Sequence, residues 1–171
     1  MPQDRDDDSS DLAVHTTTPQ QQTALTHPSR HRLLFLLGDG PATVSQLANR
    51  LRTNKGNVAH HLAVLQRVGL VQVSHTRQVR GGTERYFRRT VARLRTTAAD
   101  GAHTAALLQA VAEEITASPG EPLLHLRRVR LTAAAATTVA RHLEALINNL
   151  PEASPKEATY GVLVSMFRGY P

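Results

Sequence analysis

The sequence has no cysteine, which removes disulfides, thiolate metal sites and a cysteine nucleophile together. Aromatic residues are scarce: no Trp, three Tyr and three Phe among 171 residues, too few for the stacking platform of an RNA or single-strand binder. Long apolar runs are missing too. The longest strongly apolar run, residues 33–37, is far short of the roughly 20 residues that span a bilayer. The opening stretch, residues 1–8, has no basic region before an apolar core, so no secretory signal and a cytoplasmic location are expected. Lysine is almost absent, at 2 against 18 Arg, so where the arginines stand says more than how many there are.

Position is informative. The net charge of +6 divides into −4 over residues 1–24 (five acids, one Arg), +11 over 25–95 (thirteen Lys and Arg, two acids) and −1 over 96–171 (six against seven). A block this basic focuses potential toward a polyanion and releases condensed counterions on binding it.

Inside the basic block, residues 43–69 predict two helices joined by a tight turn. Thr43 and Gln46 have the spacing of a capping box, in which each side chain satisfies an end amide of the other's backbone. Val44, Leu47, Ala48 and Leu51 then share one face, with Gln46, Asn49, Arg50 and Arg52 on the wet one. Asn54 can cap the second helix, whose apolar stripe is Val58, Leu62, Leu65 and Val68, and Gly69 suits the left-handed position that ends it. Opposite that stripe the expected face is Lys55, Asn57, His60, His61 and Val64. Side chains of this kind in the first turns of a helix can read base edges in a major groove. A solvated polar face on an ordinary helical hairpin has the same appearance.

The next residues narrow the choice. Val71 and Val73 alternate with polar neighbours, as a half-buried strand requires. Residues 80–83, Arg-Gly-Gly-Thr, form a turn in which glycine supplies positive φ, and residues 84–89 return. A hairpin bearing Arg77, Arg80, Arg85, Arg88 and Arg89 beside a helix-turn-helix has the layout of a DNA-binding wing. Tyr86 and Phe87 alternate faces, one toward the core and one partly exposed.

With His27-Pro28-Ser29-Arg30 before a Leu-rich helix, the 43–48 capping segment, residues 58–65 and 68–71, and the Arg-Gly-Gly-Thr-Glu-Arg-Tyr-Phe hairpin in this order, residues 26–95 resemble the ArsR-type winged helix-turn-helix transcriptional regulators. The resemblance implies a homodimer that binds an imperfectly two-fold operator, most often as a repressor. The best-known metal sites of such regulators use cysteines on or near the recognition helix. This chain has none, so arsenite or cadmium sensing through thiolates is excluded.

Outside this region the signals are weaker. Residues 1–24, acidic and polar with a Gln-rich patch, are expected to form a disordered tail. Pro28 suits the first turn of a helix carrying Leu33, Leu34, Leu36 and Leu37, a core element behind the helix-turn-helix. Residues 102–117 predict a helix with Leu107, Leu108, Val111 and Ile115 on one side, candidates for a dimer contact, although packing onto the chain's own first helix would use the same face. Residues 123–131 and 160–167 alternate loosely as strands around a helix with Val139, Leu143, Leu146, Ile147 and Leu150 at helical spacing. This extension could lengthen the dimer or bind an effector of unknown identity.

Of nine histidines, His60 and His61 are adjacent and so point about 100° apart, which is not the i, i+4 arrangement of a chelating pair. No enzyme motif, metal site or cofactor is expected. The predicted fold is α+β: a tail (1–24), a winged helix-turn-helix domain (25–95), a dimerisation helix (96–120) and a strand-helix-strand extension (121–171). The predicted function is duplex-DNA binding by a homodimeric repressor, with Lys55, Asn57 and His60 toward base edges and His61, Arg77, Arg80 and Arg85 toward phosphates or the minor groove. The alternative is a winged helix used as a protein-interaction module.

Overall fold

The computed structural model describes residues 14–91, 93–95, 101–154 and 156–169. They divide into two compact units, residues 1–122 and 123–171.

The first unit is built from α1 (Pro19–Ala24), α2 (Pro28–Leu36), a 3-10 turn (Leu37–Asp39), β2 (Ala42–Thr43), α3 (Val44–Leu51), α4 (Lys55–Arg67), β3 (Val71–Val79), β4 (Gly82–Arg89) and α5 (Gly101–Ala117). Short strands β1 (Val14–Thr16) and β5 (Arg93–Arg95) add a separate parallel pair. β2, β4 and β3 form an antiparallel sheet in that order. This is the winged helix-turn-helix anticipated above.

Local chemistry sets most boundaries. Thr43 caps α3 with the reciprocal Gln46 bonds of a capping box. The Asn54 side chain accepts the Asn57 amide at 2.7 Å to start α4, and Gly69 at φ +73° follows its end. Arg52 ends α3 in the left-handed conformation (φ 51°, ψ 46°), the sole non-glycine described residue with positive φ. Arg80 and Gly81 make the two-residue loop between Val79 and its partner Gly82. Within β3 a bulge places Ser74 between the pairs Val73–Phe87 and His75–Tyr86, so one residue of the strand has no counterpart.

The core closes where the helices meet the sheet. Leu25, Leu33, Leu47, Leu62, Leu65, Leu70, Val58 and Val71 are fully buried, joined by Phe87 from β4. Each such side chain contributes roughly 1.5–3 kcal/mol when removed from water.

Residues 1–13 of the expected tail lie outside the described residues, but the rest of it is ordered. Thr18 caps α1 through a capping box with Gln21, Thr17 and Ala24 are buried, and Gln21 donates to the Val68 carbonyl at 3.0 Å. The unit therefore starts earlier than residue 25, because a capped turn inside the Gln-rich patch gives it polar contacts to the end of α4.

α5 packs on its own chain with a face other than the leucine stripe. Its buried residues are His103, Ala106 and Ala110, packed toward α2, and Arg32 bridges to Glu113 at 2.7 Å. Small side chains allow the two helices to approach. Leu107, Val111 and Ile115 are half-buried and Leu108 is exposed.

In the second unit the predicted helix forms as α6 (Ala133–Asn148), capped by Thr132. The flanking strands do not: residues 123–131 and 160–167 form no ladder among the described residues. A two-stranded ribbon alone in water is marginal, and nothing within the unit covers these segments. α6 has no buried residue, and Leu123, Leu126, Tyr160 and Phe167 are largely exposed.

Candidate nucleic-acid interface

The faces of α4 follow from its buried side. Val58, His61, Leu62 and Leu65 point into the fold, leaving Lys55, Gly56, Ala59, His60, Ala63, Gln66 and Arg67 exposed. Gly56, Ala59 and Ala63 lie on one line at i, i+3 and i+7, with His60 beside them. Small residues there let the helix backbone approach a surface closely, and an alanine methyl can meet a thymine methyl. Sequence reasoning overlooked Ala59 and Ala63 because it sought polar groups; their helical spacing was the available signal.

Of the predicted base-edge residues, Lys55 and His60 are on this exposed face. Asn57 is half-buried, and its amide nitrogen donates to the Thr53 hydroxyl at 3.3 Å.

His61 requires a correction. It was expected on the wet face in reach of phosphate, yet it is only 4% exposed. Three residues after Val58 and four before Leu65, it falls on the core stripe, and geometry prevails over its polarity. Neither ring nitrogen has a hydrogen-bond partner. Its ring lies 4.5 Å from that of His27 and 5.5 Å from that of His60, centroid to centroid. Burial first, then the neighbouring His27, Arg30 and His60, lowers its pKa to about 4, so the ring is neutral at pH 7.

A second buried histidine, His31, makes a 2.8 Å bond from Nε2 to the Leu25 carbonyl and meets the His103 ring edge-on at 5.2 Å. Its pKa is also lowered to about 4, by burial and, less, by His103, against the raising effect of the Leu25 bond.

The wing presents Arg77, Arg80 and Arg85 to solvent. The cross-strand register separates them. Arg77 pairs with Glu84, and Thr76 with Arg85, so Arg77 and Arg85 stand on opposite faces of the hairpin while Arg80 occupies its tip. His75 stacks on Tyr86 with ring centroids 4.4 Å apart, stiffening the face that carries Arg77. Phe87 is the aromatic that enters the core.

Residues 27–73 match the model of the family described as bacterial regulatory protein, arsR family. That interval takes in α2, both helices of the helix-turn-helix and the start of β3. Over residues 27–73 the chain is similar to the helix-turn-helix of ArsR-family regulators.

Among solved structures, the chain is similar to the homodimeric winged helix-turn-helix DNA-binding domain of Mb0332 from Mycobacterium bovis, described as a possible ArsR-family transcriptional regulator. The two are 27% identical over 61% of this chain and 82% of that one, with a TM-score of 0.33. A mutant of ZitR from Lactococcus lactis in apo form is 18% identical over 74% of this chain and 85% of that one, also at 0.33. No curated protein matches the chain. The likeness to ArsR-family regulators rests on the match over residues 27–73, and it supports a role in transcription regulation.

Among the described residues, no group of three or more His, Asp or Glu is placed to hold a metal ion. No helix among them is long and apolar enough to cross a membrane.

Proposed function

We propose that this chain is a sequence-specific duplex-DNA-binding regulator acting as a homodimeric repressor, without thiolate metal sensing. The observation that carries the reading is the uncovered face of α4, with Lys55, Gly56, Ala59, His60 and Ala63 exposed beside a hairpin whose arginines are also exposed. In this reading His60 and Lys55 meet base edges, with Asn57 a further candidate at the first turn. Arg77, Arg80 and Arg85 bind phosphate or the minor groove. Phosphate contacts position the protein, and base contacts select the site.

The dimer contact in this reading is the stripe of Leu107, Leu108, Val111 and Ile115, which its own chain leaves exposed or only half-buried. Residues 123–171, with their exposed apolar side chains, are a further candidate for a dimer contact.

Selection of bound duplexes from a random pool, followed by titration at several salt concentrations, tests the reading. A two-fold-symmetric site with half-sites roughly 34 to 36 Å apart is the expected result. His60→Ala should then relax preference at one base position by about 1–3 kcal/mol. Weak, salt-sensitive binding with no enriched sequence would instead promote a protein-interaction module. The exposed Leu123, Leu126 and Phe167 favour that second reading.

A further inference from the structure

Behind the exposed face of α4 lies a cleft of about 240 Å³, smaller than the roughly 300–1,000 Å³ of sites that enclose drug-sized ligands. Its polar lining is Ser29 and Arg32 from α2, Arg52 and Thr53 from the turn after α3, and Asn57 and His61 from α4. Leu33, Leu51 and Val58 complete it. The lining thus includes two arginines, two hydroxyl residues, a carboxamide and an imidazole but no acidic residue, and Arg32 is also bridged to Glu113 at 2.7 Å. Arg52 is held at its rim by a backbone conformation that costs a non-glycine residue roughly 1–2 kcal/mol.

His61 marks the cleft as unfinished. It is 96% buried, since 4% is exposed, and both ring nitrogens lack a partner. A buried polar group without a partner is rare and costly. The guanidinium Nε of nearby Arg30 is likewise buried and unpartnered. An aliphatic residue at 61 would serve the core better if packing were its whole task.

We propose that this cleft binds a small phosphate-type oxyanion, with a His61 ring N–H donating to one oxygen, Arg52 supplying charge, and Ser29 and Thr53 donating hydroxyl hydrogens. The anion is either a free small phosphate compound or a phosphate of bound DNA. The two sources have the same chemistry. Because the cleft joins α2, the turn after α3 and the start of α4, occupancy clamps the base of α4.

The probe is inorganic phosphate, titrated into the full-length protein at constant ionic strength against chloride. The readouts are the heat of binding, which gives the affinity in every variant, and the 15N resonance of the His61 ring. Phosphate should shift it saturably, and chloride should not. His61→Leu removes the donor while suiting the apolar surroundings, and Arg52→Ala removes a rim cation. Each should weaken phosphate binding by about 10-fold or more, the usual size of a lost charge-assisted hydrogen bond, while circular dichroism stays native. Adding duplex then separates the sources. Displacement of phosphate by DNA identifies a backbone-phosphate seat, and simultaneous binding identifies a free ligand; both uphold the cleft. A His61 resonance indifferent to phosphate and duplex alike, or unchanged phosphate binding in a folded His61→Leu protein, overturns it. The phosphate titration does not depend on sequence-specific DNA binding, so the regulator reading can fail while the cleft stands.

Discussion

Helices α4 and α6 carry nearly the same apolar pattern and meet opposite fates. Val58, Leu62 and Leu65 at i, i+4 and i+7 are all but sealed from water, whereas Val139, Leu143, Leu146 and Ile147 at i, i+4, i+7 and i+8 leave α6 with no buried residue. Both helices have a side-chain cap, Asn54 and Thr132. The difference is what surrounds them. α4 is enclosed by α2, α3 and β3, while α6 is flanked by two extended segments that form no sheet. An amphipathic stripe states that a face is to be covered, and says nothing of what covers it.

Core truncation should break the symmetry between the two helices most sharply. Leu62→Ala is expected to cost about 2–5 kcal/mol in urea unfolding, as for other sealed leucines. Leu146, 58% exposed, should cost less than about 0.5 kcal/mol when changed to Ala in the isolated chain. If the Leu146→Ala penalty instead grows with protein concentration, a second copy covers α6.

Acid should act next most strongly, and on the first unit. His31 and His61 have folded pKa values of about 4 against 6.5. Above pH 6.5 both states are neutral and stability is flat. Between 6.5 and about 4 the unfolded chain takes up protons that the folded chain refuses, so stability falls, levelling off below 4. Urea midpoints from pH 8 to 5 should drop, and the drop should shrink in His61→Leu. A pH-independent midpoint would mean that these rings are already solvated.

Caps come next: Asn54→Ala and Thr18→Ala should each cost about 1 kcal/mol. Equal penalties would establish that α1 is as integral to the fold as α4. The smallest effect belongs to the wing. Arg80→Ala should leave stability unchanged and lower the salt slope of DNA binding by about one unit, alike for all sequences. No change in slope would remove Arg80 from the interface.

What the sequence disclosed was what depends on neighbours in the chain. The capping pair Thr43 and Gln46, the Asn54 cap, Gly69 and the Arg80-Gly81 turn act over two to four residues and are found where expected. Thr18 and Gln21 have the same spacing as Thr43 and Gln46, but the surrounding composition hid them. His61 was misassigned because residue chemistry was allowed to outweigh its place between Val58 and Leu65. The leucines of α5 marked a candidate dimer face but not the face that meets α2, where close approach selects His103, Ala106 and Ala110. The strands at 123–131 and 160–167 depend on a covering layer that the described residues of their own unit do not supply.

The bulge at Ser74 has a consequence for how such a wing can change. Because Val73 pairs with Phe87 and His75 with Tyr86, deleting Ser74 preserves every other cross-strand pair, from Val71–Arg89 to Val79–Gly82. It takes away only the extra bend and twist that a bulge imparts. Loss of one codon would thus re-aim the arginine tip while keeping each arginine opposite its present neighbour, a hinge adjustable by length rather than by composition.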